Sequence, residues 1–312
     1  MKKLILIDAN ALVHRAFHAL PPLTTGKGEL VNAVYGFSSV LLKVLNEMKP
    51  DYIAAAFDLA GPTFRHIEYE DYKAKRPKAP DELYEQIPRT KEVLKAFSIP
   101  VVEKEGFEAD DVIGTLAKKF TKEGVETLIV TGDLDTLQLV SDKIKIYTMK
   151  KGLTDTIIYG EKEVENRYGL KPDQMIDYKA LRGDPSDNIP GVKGIGEKGA
   201  TALLKEFETL ENLYKNIDKV KSKSIAEKLK TNKQMAFFSK RLATIQQKVP
   251  IKVNLKDLDW QKNININKVK ELFNQLNFQT LLKRLPLLHK DYGEQAGEKV
   301  EPEIKPEQQN LL

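Results

Sequence analysis

Four consecutive apolar residues, Leu4-Ile5-Leu6-Ile7, run directly into Asp8. A short run that is wholly apolar, with no alternation, suits a strand covered on both faces, and such strands belong to mainly parallel sheets lying between helices. The chain repeats that theme. Residues 31–48 carry Val34, Phe37, Leu41, Val44, Leu45 and Met48 at helical spacing. Tyr52 to Phe57 reads as a second buried strand. Residues 109–123 place Val112, Ile113, Leu116 and Phe120 on one helical face, and Gly124 stops that helix. Thr127 to Val130 gives a third strand and Ile144 to Met149 a fourth. Strand and helix in alternation predict an α/β fold, a mainly parallel central sheet with helices on both faces. Residues 65–95 interrupt the rhythm with dense charge and three prolines (Pro77, Pro80, Pro88). They read as a partly helical insertion projecting from the sheet. Residues 172–285 read as mostly helical and lysine-rich. The last stretch, from about Asp291, is polar with spaced prolines and reads as a disordered tail or linker.

The acids fall where these strands end. Asp8 closes the first, Asp58 the second, and Asp133 and Asp135 lie just beyond the third. Ligands of an open parallel sheet bind outside the carboxyl ends of its strands. Glu108, Asp110 and Asp111 enter or precede the first turn of a helix, where negative charge is tolerated. Asp184 and Asp187 add two more from the loop RGDPSDNIPG. One aspartate at a strand end is ordinarily a turn former or a cap; the argument rests on the set. Two unit charges ~4 Å apart repel by about 4 kcal/mol at an effective dielectric near 20, so a gathered set must take up protons or divalent cations. Oxygen ligands without cysteine favour Mg²⁺ or Mn²⁺ over zinc. Two such ions form the usual apparatus for phosphodiester cleavage.

Two basic features complement the acids. Tyr72-Lys73-Ala74-Lys75-Arg76-Pro77-Lys78 packs an aromatic among cations, a composition that can stack a base and hold phosphates. A helix there would place Lys73 and Arg76, three residues apart, on one face. The bland alternative is a solvated charged helix. Arg15 and Arg65 are further candidates for phosphate contacts, whereas His14, His18 and His66 read as packing or surface residues. The second feature is Gly191-Val192-Lys193-Gly194-Ile195-Gly196-Glu197-Lys198, ahead of a helix from Ala200 to Phe207. Gly199 follows Lys198, which disfavours a nucleotide-binding P-loop. The pattern fits a helix–hairpin–helix whose backbone grips DNA phosphates without reading bases. Lysines 215, 219, 221, 223, 228, 230 and 233 read by themselves as solvated helix faces.

Composition adds exclusions. With no cysteine the chain forms no disulfide, zinc–thiolate site or thiol nucleophile, and a reducing compartment is expected. No stretch approaches the ~20 apolar residues of a membrane span, and the opening MKKLILIDANALVHRAF reads as a strand rather than a signal peptide. The net charge of +5 leans weakly towards a polyanionic partner.

Together LILIDANALVHRAFHAL, FRHIEYEDYKAKRPKAP, EGFEADDVIGTLA, TGDLDTLQLV and LRGDPSDNIPGVKGIGEKGA resemble the 5′-nuclease family. That family holds the N-terminal domain of bacterial DNA polymerase I, to which the likeness is closest, the phage 5′ nucleases and the flap endonucleases. The resemblance spans roughly residues 2–288. It implies a PIN-like 5′-nuclease domain over 1–171 with a helical arch at about 65–95. A helical DNA-binding subdomain follows over 172–290, with its helix–hairpin–helix at about 184–206, and then the tail 291–312. It implies that Asp8, Asp58, Glu108, Asp110, Asp111, Asp133, Asp135, Asp184 and Asp187 hold two divalent cations, Mg²⁺ or Mn²⁺. Lys73 and Arg76 would act on the scissile phosphate. Arg15, Arg65, Tyr72, Lys179, Gly191, Val192, Gly194, Ile195, Gly196 and Lys198 would contact DNA, with K⁺ at the hairpin.

The implied activity is 5′→3′ exonuclease and flap endonuclease cleavage that leaves 5′-phosphates, in primer removal and DNA repair. The implied substrates are duplex DNA with a 5′ end or 5′ flap and RNA–DNA primer junctions. A DNA polymerase in cis or trans is the implied partner, for a monomer in the bacterial cytoplasm associated with the nucleoid. The Pro/Glu tail permits either a stand-alone nuclease or part of a longer chain. One departure is visible: the family usually has threonine where this chain has Gly199, and glycine there costs the helix up to ~1 kcal/mol. Three alternative readings fit less of the sequence. A catalytically silent DNA-binding relative would lack several of the acids. A phosphorylation-switched receiver domain would explain neither hairpin nor basic insertion. A small PIN-type ribonuclease would lack the hairpin.

Overall fold

The computed structural model describes residues 1–285. The expected tail, 291–312, lies outside the described residues, as do 286–290. Six strands form one sheet: β1 (Lys3–Asp8), β2 (Tyr52–Ala56), β3 (Val101–Val102), β4 (Glu126–Val130), β5 (Ile144–Lys151) and β6 (Asp155–Tyr159). Their order is β3-β2-β1-β4-β5-β6. All neighbours are parallel except β5 and β6. The mainly parallel α/β sheet is therefore as expected. The two-residue β3 and the edge strand β6 are additions, too short or too polar to carry a buried-strand pattern.

Before the sheet turns to its second half come α1 (Ala9–Ala19), α2 (Asn32–Met48), α3 (Phe64–Glu68), α4 (Asp81–Tyr84), α5 (Gln86–Ala96) and α6 (Ala109–Lys122). After it come α7 (Glu161–Tyr168), α8 (Met175–Arg182), α9 (Glu197–Phe207), α10 (Leu210–Lys215), α11 (Lys223–Thr231), α12 (Lys233–Ala243), α13 (Ile266–Gln275) and α14 (Gln279–Leu282).

Strand β1 shows why its apolar run is continuous. Leu4 and Leu6 face a core that holds Ile113, Leu116 and Phe120 of α6 and continues into Leu181, Leu204 and Leu229 of the helical half. Ile5 and Ile7 face an opposite core with Phe37, Leu41 and Leu45 of α2 and Val93 and Leu94 of α5. Each face removes apolar area from water at about 25 cal/mol per Å². The last of the described residues return to this second face: Trp260, Phe273 of α13 and Phe278 all join it. Among the described residues, the buried side chains of 260–285 thus join the sheet's second core, apart from the core that the helices α8 to α11 share with its first face.

The insertion is helical in part, as expected. Only α3, α4 and α5 are helical, and residues 69–79 are turns and irregular chain. The insertion is packed down on both sides of its exposed middle. Val93 and Leu94 are fully buried in the second core. Tyr72 and the partly buried Tyr69 pack against Leu242 and Phe238 of α12.

Strand order fixes where a site can form. From β1 the chain builds outward through β2 and β3, then returns to place β4 on the other side of β1. The crevice outside the carboxyl ends of β1 and β4 is the switch point at which such sheets bind ligands.

Candidate active site at the carboxyl edge of the sheet

A cleft of about 290 Å³ opens at this switch point, lined among others by Asp8, Asn10, His14, Asp58, Lys73, Arg76, Glu108, Asp110 and Asp133. Asp8 has two jobs. As the residue before α1 it caps the helix, Oδ1 accepting from Ala11 N–H at 3.0 Å. Its Oδ2 accepts from the Thr131 hydroxyl at 2.6 Å. That hydroxyl also accepts from Asp133 N–H at 2.9 Å, and Asp133 Oδ1 accepts from Asp135 N–H at 2.8 Å. Asp58 Oδ1 accepts from Ala109 N–H, the first amide of α6, at 2.7 Å, where the helix dipole favours a carboxylate. Asp110, in that same first turn, has a buried Oδ1 with no hydrogen-bond partner.

This crowding perturbs the acids. Burial pushes Asp8 up to about 7 against its two donors, and the charges of Asp58 and Asp133 add to the rise. Asp110 is raised well above the usual carboxylate range, by burial first and then by Asp8, Asp133, Asp135 and Glu108. Asp58 stands at the mouth of the cleft with protein on most sides, and lost hydration and then Glu108 raise it too. Perturbed acids in a cleft mark a functional site.

Four cations offset the rest. Lys73 Nζ is 2.6 Å from Glu108 Oε1, and Arg76 pairs with Asp187. Burial would lower both cations, but the acids hold them charged, Glu108 and then Asp187 for Lys73, and Asp187 for Arg76. Lys179 lies between Asp184, at 2.6 Å, and Asp135. Burial would raise Asp184, but Lys179 and the Ser186 hydroxyl and amide hold it at about 2. Asp135 is more enclosed, and burial with Asp133 takes it to about 7 despite the lysine. Arg65 is the fourth, bound to Asp111 through both nitrogens at 2.7 and 2.8 Å.

Several expected roles are corrected by these contacts. Arg65 is 2% exposed, and its remaining donors go to Glu108 Oε2, Leu242 O and Thr244 O; it has no face for a phosphate. Its partner Asp111 is 0% exposed and also accepts from Glu108 N–H and Gln246 N–H, so it is an internal counter-ion. Tyr72 is 3% exposed with its hydroxyl between Glu108 and Asp187, and offers no ring face to a base. Arg15 donates to three carbonyls of the β5–β6 hairpin, Met149, Lys150 and Gly152. Lys179 is engaged by its two acids.

Lys73 and Arg76 meet at the cleft without a helix. Lys73 has a left-handed φ of 58°, and Arg76 N–H closes a turn onto Lys73 O at 3.0 Å. In the hairpin, Val192 and Ile195 are buried, and Gly191 N–H donates to Ser239 Oγ at 3.0 Å. Gly194, Gly196 and Lys198 remain at the surface.

The sequence reading missed Thr131 and Asn10, and read His14 by default as a packing or surface residue, though one close enough to the Asp8 strand to approach the site. Asn10 Oδ1 accepts from Asp58 N–H at 3.2 Å. His14 lines the cleft, and burial, His18 and Arg76 lower its pKa. Thr131 and Asn10 each lie two residues from a strand-end aspartate, the one signal that pointed to them.

Among the described residues, no three of the acids or histidines close around one point as a closed metal site does. The donors instead fit an ion that keeps several of its waters. The cleft is open, its ligands are oxygen only, and the unpartnered Asp110 Oδ1 and raised Asp8 and Asp58 face unbalanced negative charge.

Comparison with known proteins agrees. The family model for the 5′-3′ exonuclease N-terminal resolvase-like domain matches residues 3–169, and that for the 5′-3′ exonuclease C-terminal SAM fold matches 170–265. The chain is 50% identical over 287 residues to DNA polymerase I of Caldicellulosiruptor bescii, covering 91% of this chain and 34% of that protein. It is 48% identical over 284 residues to DNA polymerase I of Bacillus subtilis, covering 91% and 32%. The chain thus spans about a third of the length of these relatives. Among solved structures, the T5 D15 protein co-crystallised with metal ions superposes with a TM-score of 0.66 at 17% identity, covering 91% of this chain and 99% of that one. Flap endonuclease-1 from Methanococcus jannaschii gives 0.57 at 20%, covering 93% and 92%. These two likenesses show the fold. Because the two family models follow one another without a gap and together match residues 3–265, the chain belongs to the 5′-3′ exonuclease family.

Proposed function

We propose that the cleft hydrolyses phosphodiesters of DNA from a 5′ end or at a 5′ flap, with two divalent cations, Mg²⁺ or Mn²⁺. The observation that carries this reading is the convergence of Asp8, Asp58, Glu108, Asp110 and Asp133 with Lys73 and Arg76 on one cleft at the sheet's switch point. Asp8, Asp58, Asp110 and Asp133 would hold the cations, with Glu108 beside them. Asp135 and Asp184 are tied to Lys179, and Asp187 to Arg76. When bound, the cations supply the charge that polarises the phosphodiester and acidifies the attacking water.

The chain's residues do the positioning. Thr131 fixes Asp8 and Asp133 relative to each other. Ala109 N–H orients Asp58. Lys73 and Arg76 present preorganised positive charge where the phosphate becomes more negative, and such charge is most effective in a partly desolvated site. The surface glycines of the hairpin and Lys198 grip the duplex backbone. K⁺ at the hairpin rests on family resemblance alone; Lys228 Nζ already approaches Gly194 O there, at 3.4 Å.

We divide the chain at 171/172 into nuclease and DNA-binding units, with the residues from Trp260 serving the first. The likeness to the polymerase I relatives supports extending the proposal to cytoplasmic primer removal and repair, RNA–DNA junction substrates, and a polymerase joined in cis or acting in trans. Among the described residues no helix is long and apolar enough to cross a membrane. The test is cleavage of a 5′-flap oligonucleotide during a Mg²⁺ titration. The protein should cut only with the cation, and Asp58→Ala and Asp133→Ala should bind flap DNA without cutting it. Full activity in either variant would sink the reading, and binding without cutting by the unmodified protein would mark a silent DNA-binding relative.

A further inference from the structure

The turns that carry Lys73 and Arg76 are fastened to the loop ahead of the glycine hairpin, largely through backbone groups. Asn188 Nδ2 donates to Asp71 O at 2.7 Å. Lys73 N–H donates to Asp187 O at 3.0 Å, and Arg76 Nε to Ser186 O at 3.1 Å. Asn188 and Lys73 both have a φ of 58°, a region that most L-residues avoid and asparagine tolerates best. The loop itself is closed by reciprocal bonds between Asp184 and Ile189, at 2.9 and 2.8 Å. It runs two residues further to Gly191, which Ser239 holds on α12. One segment, 184–191, therefore touches both the cation-bearing turns and the root of the hairpin.

We propose that Asn188 is a positioning residue whose side-chain amide latches the turn at Asp71, so that Lys73 and Arg76 face the cleft only while loop 184–191 is seated. The latch ties the hairpin's grip on duplex to the presentation of the two cations. It rests on the nuclease reading above. The competing account is that asparagine stands there only because it accepts a left-handed φ.

Two substitutions separate these accounts. Asn188→Gly keeps the backbone conformation and removes the amide. Asn188→Asp keeps the size but sets an acceptor against the Asp71 carbonyl. In the intact protein with Mg²⁺, hydrogen exchange at the Lys73 and Arg76 amides should quicken about tenfold in both variants while the rest of the chain is unchanged. Single-turnover cleavage of a 5′ flap should fall roughly 10–100-fold, with affinity for the flap, read with Ca²⁺, within about threefold of the parent. Parent-like exchange and cleavage in Asn188→Gly would overturn the latch. So would a parallel loss of melting temperature, binding and cleavage, which marks a purely structural role. Failure of the parent protein to cleave would instead count against the nuclease reading, and the exchange measurement would still judge the latch.

Discussion

Thr131 is an uncharged side chain that touches two of the cleft's acids. It is fully buried, and its hydroxyl donates to Asp8 Oδ2 while accepting from Asp133 N–H. Replacing it with valine keeps the shape and strands both partners. We expect Thr131→Val to cost about 1–3 kcal/mol of stability, the price of an unmade buried hydrogen bond, and to slow flap cleavage at least ~10-fold through misplaced carboxylates. Thr131→Ser should restore both; urea melts with single-turnover rates are the check. Gly199 makes the opposite case. An added Cβ there would meet only Ile195 Cγ2, at an ordinary 3.5 Å, inside the first turn of α9. Gly199→Ala should therefore stabilise the protein by up to ~1 kcal/mol, read as a higher melting temperature, with cleavage unchanged.

At the scale of elements, the two glycines that flank the hairpin answer to different constraints. Gly191 has a φ of 64°, and a Cβ there would overlap the Gly183 backbone. Gly196 has a φ of −97° as the residue before α9 and meets nothing within 4 Å. Gly191→Ala should force α8 and α9 apart, lowering duplex affinity about tenfold with a stability loss of ~1–3 kcal/mol. Gly196→Ala should cost less than ~1 kcal/mol; fluorescence anisotropy with a short duplex would compare them, and equal effects would refute the distinction.

The same contrast shows what was legible in the sequence. Leu4 to Ile7, Val112 to Phe120 and the strand-end aspartates were readable because their signals are local: an apolar run, a helical period, an acid after a strand. The middle of the insertion was not. Its Lys73-to-Arg76 spacing fits a helix, but a left-handed Lys73 and bonds to residues 186–188 bring the two cations together instead. Arg65 and Asp111 could not be told from site residues either. Their burial is set by Leu242, Thr244 and Gln246, more than 130 positions along the chain.

For the whole molecule, the gathered acids make stability depend on pH and on cations together. Asp8 and Asp135 titrate near 7 when folded, against about 3.9 for an unperturbed aspartate. Between those values the folded chain binds more protons than the unfolded one, so their contribution is fully present below ~4 and is lost as pH rises through ~7. Asp110 and Asp58, also raised, act in the same direction. Asp184, held at about 2, runs the other way but only in acid: its contribution is present above ~4 and lost as pH falls towards ~2. His14, lowered by burial, opposes the trend near neutrality as one group against four. Chelator-treated protein should therefore lose melting temperature between pH 5 and 8. At this chain length each kcal/mol moves the midpoint by about 2 °C, so a drop of several degrees is expected. On the proposed two-cation reading Mg²⁺ would bind only the ionised acids, so millimolar Mg²⁺ should remove most of the drop at pH 8 while changing little at pH 5. If the chelated protein melts at the same temperature across that range, or if Mg²⁺ stabilises it equally at both ends, the acids do not share one electrostatic site.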